Sequence, residues 1–264
     1  MLRRLLPPLT LGLLVLVLAD QATQGLGRDD GEQGPVQGAN DTRPGTAALQ
    51  PDADDTRRSG ATARAGAVNA TRLARQAARR ELSREAAATY LDSLIISTDS
   101  VVRRWPDRSG APIRVHIVEG GAPGYLPRMA GFVRQAMGQW EQTGIGLRFL
   151  WVSDTSEADI VVRWIDNFGF DRAGQTDLTW DQSGRVRRAS ISLALRSHHG
   201  AVLPDAALLS VAVHEAGHAL GLPHSADSND VMFPATRTGA LSERDRRTVA
   251  VLYRLPPGPV RGGS

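Results

Sequence analysis

The stretch HEAGHALGLPH, residues 214–224, constrains this chain more than any other, because three of its six histidines fall within these eleven positions. On a helix, residues i and i+4 share a face, so His214 and His218 would present their imidazoles side by side. Glu215 stands next to the first of them. Gly221 follows three residues after His218, where backbone tolerant of positive φ can end a helix and turn the chain. Pro223 then restricts the loop, and His224 can return as a third ligand. Three neutral imidazoles leave the fourth tetrahedral position to water, the pattern of a catalytic rather than a structural zinc. H-E-x-x-H alone also reads as a surface helix with incidental histidines. The longer H-E-x-x-H-x-x-G-x-x-H gives each fixed position its own physical role.

Composition removes several rival chemistries. The chain has no cysteine, which excludes disulfides, thiolate-held metals and a thiol nucleophile. All 31 basic residues are arginine and the formal net charge is only +3. The sequence pI of about 10.1 therefore reflects arginine usage. With no basic run interleaved with aromatics, nucleic acid is not an expected partner.

Residues 1–19 pair Arg3 and Arg4 with the apolar run Leu9–Ala19. That run is 11 residues long, against the roughly 20 needed to span a bilayer, and it reads as a secretory signal peptide. An uncleaved anchor is the alternative. Residues 20–67 contain almost no large apolar side chains and are expected to form a disordered linker or propeptide. Residues 68–100 form a helical segment, with a helix from near Thr71 to Ile95 on which Leu82, Ala86, Tyr90 and Leu94 recur at helical spacing. The compact domain is expected at 101–257, with a tail at 258–264. Its predicted strands are 112–118, 147–152, 158–165 and 187–195, the last showing alternation of Ile191, Leu193 and Leu195. Its predicted helices are 126–143, 205–221 and 242–253, and 166–186 reads as turn-rich. His116 reads as a packed strand residue, and His198 and His199 as part of a polar loop.

HEAGHALGLPH resembles the metzincin zinc-protease signature, and Ser225 after the third histidine resembles the matrixin branch. VMFP (231–234) is similar to the methionine turn of that family, with Met232 as its methionine. LSERDRRTVAVLY (241–253) resembles the family's last helix, with Asp245 matching one acidic position and Arg244 replacing the other. The resemblance runs from about Ile113 to Tyr253 and points to a bacterial-type matrixin, catalytic domain only. It implies an α/β (α+β) zincin fold: a twisted mixed sheet and three main helices around a zinc cleft. It implies one catalytic Zn2+ on His214, His218 and His224, with Glu215 as general base and then acid toward a peptide bond. It also implies a substrate edge strand at Ser190, Ile191, Ser192, Leu193, Ala194 and Leu195. Ser210, Pro234, Ala235 and Thr236 would line the primary pocket, Thr236 replacing the family's usual tyrosine. Two features depart from the family. No cysteine is available to block the zinc, and 166–189 lacks the histidines of a second, structural zinc.

The resulting expectation is a secreted or periplasmic zinc endopeptidase acting on polypeptides, with no stable membrane association once the signal is removed. The alternatives are a zinc hydrolase of cell-wall peptides and a non-catalytic zinc-binding module. The module has no evident use for Glu215. No residue pattern speaks to calcium or to oligomeric state.

Overall fold

The structure, a computed structural model, describes residues 53–92, 94, 100–107 and 110–260. The signal segment 1–19 and the linker up to residue 52 lie outside the described residues. Among those described, no helix is long and apolar enough to cross a membrane. The chain divides into residues 21–74 and a compact unit that takes in everything from Arg75 onward.

The first helix, α1, spans Ala53–Glu85. It therefore starts inside the stretch expected to be a disordered linker and stops well short of Ile95. Alanine and arginine are among the best helix formers, so a stretch too polar to enter a core can still be helical. Within the compact unit, Ala78, Leu82 and Glu85 turn inward along one stripe, and Glu85 pairs with Arg247 at 2.8 Å. A 3-10 turn at Ala86–Ala88 then breaks the helix, and Thr89 adopts extended backbone. The break redirects the chain so that Tyr90 and Leu91 enter the core. The helical spacing of Leu82, Ala86, Tyr90 and Leu94 thus reads straight through a real interruption.

The strands are β1 (Val101–Val102), β2 (Ile113–Ile117), β3 (Phe149–Trp151), β4 (Ile160–Ile165), β5 (Gly174–Trp180), β6 (Val186–Ala194) and β7 (Gly258–Pro259). Five of them form one mixed sheet in the order β3-β2-β4-β6-β5. Its first four members run parallel, and β5 lies antiparallel to β6 at the edge. Strand β4 (IVVRWI) is buried at most positions, as suits a parallel strand covered on both faces. The expected mixed α/β architecture is present, but β5 falls in the stretch read as turn-rich. It is polar: Gly174 is buried, and Thr176, Leu178 and Trp180 follow on the same face half-buried.

Among the described residues the unit has three further long helices: α2 (Ala130–Glu141), α3 (Asp205–Ala219) and α4 (Glu243–Arg254). Two tryptophans pin α3 by donating to its carbonyls. Trp140 of α2 bonds the oxygen of Val213 at 2.9 Å, and Trp105 bonds that of Ala219 at 2.8 Å. Helix α4 starts with a reciprocal cap. Ser242 Oγ accepts from the Asp245 amide at 2.9 Å, and Asp245 Oδ2 accepts from the Ser242 amide at 2.9 Å. The tail expected from residue 258 begins instead with a strand: Val101 pairs with Pro259 and Val102 with Gly258.

Candidate metal centre

Helix α3 is buried on almost every face, so its polar residues need specific partners. Its end is dictated by Gly221, at φ +97°. The Gly221 amide bonds His218 O at 2.9 Å and the Leu222 amide bonds Gly217 O at 3.1 Å, the paired bonds of a Schellman motif. A Cβ at Gly221 would lie 2.0 Å from the carbonyl oxygen of Arg103. Glycine is thus required twice, for its backbone and for its size, and the tight stop sends Pro223 and His224 back beneath the helix.

His214 and His218 each have Nδ1 against a main-chain carbonyl, Val231 O at 2.7 Å and Leu222 O at 2.8 Å. A proton on Nδ1 leaves both Nε2 atoms as lone-pair donors, and the carbonyls fix the ring orientations. The Nε2 of His218 lies 3.0 Å from that of His214 and 3.1 Å from that of His224. Two nitrogens held about 2.0–2.1 Å from a tetrahedral zinc would stand only slightly further apart. Burial keeps all three imidazoles neutral, holding His214 down to about 3, His224 down to about 4, and His218 well below its ordinary value. Converging, neutral, lone-pair-bearing nitrogens fit zinc. Among the described residues no other group of three such side chains brings its ligand atoms together. His116 stays in β2 with Nδ1 at 3.0 Å from Val152 O, and His198 faces Asp171 at 3.4 Å.

Glu215 is fully buried. Its Oε2 accepts from Thr176 Oγ1 at 2.6 Å, and its Oε1 has no hydrogen-bond partner within the protein. Burial raises its carboxyl to about 7, against the opposing pull of the Thr176 hydroxyl and of Arg172.

Met232 is buried under α3, where a Cβ on Gly217 would come within 2.4 Å of its sulfur. Ser225, directly after the third histidine, bonds the Met232 carbonyl through its amide at 2.9 Å. Its hydroxyl donates to Asp230, which also accepts from Ser242 Oγ at 2.6 Å and Arg244 at 3.3 Å. The Val231 amide donates to Asp245 Oδ2 at 2.8 Å. The residue whose carbonyl orients His214 is therefore held from behind by α4. Asp230, Thr176 and Gly174 play no part in the sequence reading. Asp230 stood two residues ahead of Met232 without a distinguishing pattern, and Thr176 becomes visible only once β5 is laid beside α3.

Residues 127–254 match the model of the matrixin family. Over that stretch the compact unit is similar to a matrixin domain. The match supports zinc-dependent peptidase activity in general, and His214, His218 and His224 are the group that could hold the metal. Two solved structures similar to this chain are both of myroilysin. One shares 17% identity at a TM-score of 0.41, covering 58% of this chain and 97% of that one. The other shares 15% at 0.40, covering 57% and 85%.

The fold brings the expected ligands together but rearranges the expected substrate residues. Ser190, Ile191, Ser192, Leu193 and Ala194 lie in β6, with Leu195 just after it, and β6 is an inner strand. Its two sides pair with β4 and β5, so it offers no free edge to a peptide. Alternating burial reports which face of a strand is covered, not who its neighbours are. The edge strand on that side of the sheet is β5, with β3 at the opposite edge. Ser210 is buried in α3, its hydroxyl donating to Ala206 O at 2.9 Å. From the loop after the methionine turn, Gly239 packs there, a Cβ on it lying 3.6 Å from Ser210 Oγ. Pro234 and Ala235 are half-buried and Thr236 is buried.

Proposed function

We propose that this protein is a secreted zinc endopeptidase in which Glu215 acts as general base and then general acid. One juxtaposition carries the reading: three imidazole nitrogens converge beside a buried carboxylate that keeps one oxygen free of protein partners. Zinc, when held there, supplies Lewis acidity toward water and the scissile carbonyl. Glu215 removes a proton from the attacking water and delivers it to the departing amine nitrogen. A carboxyl held near neutrality suits both tasks. An extended peptide adds to the free edge of β5, main chain to main chain, and leaves selectivity to side-chain pockets. Ser210 and the loop Pro234–Thr236 line the pocket for the residue after the cut. Export is supported by Arg3, Arg4 and the apolar run that follows them. With no thiol in the chain, any latency conferred by the N-terminal region works without a cysteine on zinc.

The test separates metal from proton transfer. Glu215→Ala keeps its zinc and loses turnover by several orders of magnitude, whereas His218→Ala loses the metal. Near-normal proteolysis by the first variant, or a zinc-loaded second variant, overturns the reading.

A further inference from the structure

We infer that Thr176 is a positioning residue for Glu215, and that β5 clasps the carboxylate between the Thr176 hydroxyl and the bare backbone of Gly174. The inference rests on the role of Glu215 proposed above and adds the residues that aim it.

Gly174 and Thr176 are two apart on one strand and therefore face the same way. Both contact the one side chain. Thr176 Oγ1 lies 2.6 Å from Oε2 and 3.0 Å from the main-chain oxygen of Glu215, so its one proton goes to the nearer carboxylate oxygen while the hydroxyl stays against the helix backbone. A Cβ on Gly174 would stand 2.4 Å from Oε1 and 2.7 Å from the carboxyl carbon, inside any allowed contact. The glycine has ordinary negative φ and is needed for space rather than for backbone freedom. One oxygen is thus tied down, and the other is accommodated where no side chain can stand.

A glutamate has three side-chain torsions, and its two oxygens exchange by rotation about the last. Packing alone leaves that rotation open, whereas a hydrogen bond to one oxygen stops it and decides which oxygen stays available. Because the same strand carries the free edge proposed to bind the peptide, β5 sets the carboxylate and the substrate backbone from one rigid element. Placing both on one strand fixes their relative geometry better than placing them on separate loops would.

The test uses the full-length, zinc-loaded protein and a fluorogenic peptide that it cleaves. Thr176→Val keeps the shape and removes the hydroxyl. It is expected to lower kcat about 10- to 100-fold with KM and zinc content little changed, and Thr176→Ser restores kcat to within a few-fold. Gly174→Ala pushes on the carboxylate directly and lowers kcat at least as far. A readout independent of turnover accompanies these. Crystal structures of the zinc-loaded variants show Glu215 in one orientation in the parent and Thr176→Ser, and in more than one, or displaced, in Thr176→Val. Unchanged kcat and a single unmoved carboxylate in Thr176→Val overturn the inference. So does an equal loss in the serine variant, which would make the methyl group rather than the hydroxyl responsible. If Glu215→Ala remains active, it is the function of Glu215 that fails; if that variant is inert while Thr176→Val is fully active, only the positioning role fails.

Discussion

The hydroxyl of Tyr90 donates to Oδ1 of Asp245 at 2.9 Å, across 155 positions of sequence. The other oxygen of the same carboxylate accepts from the amides of Val231 and Ser242, and the Val231 carbonyl orients His214. A residue from the segment expected to be helical thus stands three hydrogen bonds behind His214. Arg244 reinforces the arrangement by donating to Thr89 O at 2.8 Å.

Tyr90→Phe tests this brace. It keeps the ring and leaves a buried carboxylate oxygen short of a donor, a loss of about 1–3 kcal/mol. Thermal or urea unfolding should show a clearly lowered midpoint; an unchanged midpoint would mean that water or another donor replaces the hydroxyl at no cost.

The boundary of the domain gives a second test. A fragment starting at residue 97 lacks Leu82, Tyr90 and Leu91, all buried in the core, and emptying one such leucine site typically costs about 2–5 kcal/mol. Residues 75–264 should unfold cooperatively and 97–264 should not. Equal midpoints for the two fragments would show that the N-terminal segment is dispensable.

Acid should weaken the chelator-stripped protein. Unfolding frees His214, His218 and His224 to titrate near their ordinary 6.5, and burial holds all three lower in the folded state. Glu215 opposes them, since folding holds its carboxyl up at about 7. Between about pH 4.5 and 6.5, unfolding therefore takes up three protons and releases one. A net uptake of about two means that stability falls as pH falls. Saturating zinc should move the loss to lower pH, because metal binds only the folded, deprotonated set. Urea midpoints at about pH 5 and pH 7 decide it, and a higher midpoint at the lower pH would refute the argument. Metal analysis of the reloaded protein should find one equivalent of zinc.

The pocket proposed at Ser210 should favour a large apolar residue just after the cut. Each methylene buried there is worth about 0.8 kcal/mol, so leucine or phenylalanine should exceed alanine severalfold in a cleaved peptide library. Ser210→Arg should fill the space and shift preference toward small residues. A library dominated by alanine or glycine with the unmutated protein would sink this pocket assignment.

What the sequence revealed follows a physical division. The metal ligands and the end of α3 were legible because helical spacing, Gly221 and Pro223 act over a few residues. Strands β2, β4 and β6 were legible from apolar runs and alternation, and α4 from the resemblance of 241–253 to the last helix of a known family. The order of strands was not. Strand β5 reads as a loop because an edge needs few apolar residues, and without it β6 looks like the edge. Gly258 and Pro259, poor strand formers by nature, pair with Val101 and Val102 only because the fold delivers them there. Tyr90 looks like one more helical residue until the 3-10 turn before it is known.

The pairing of β1 with β7 bears on when the protein can first act. Val101 meets Pro259, and Tyr90 meets Asp245 at a separation of 155 positions, so residues made late close contacts with residues made much earlier. Synthesis proceeds at about 5–20 residues per second, and non-local pairings of this kind form late and slowly. A chain still on the ribosome can expose the helix bearing His214 and His218 before the brace behind His214 has been made. The order in which the residues emerge thus delays the bracing of His214 until residues well beyond the histidine group have been made.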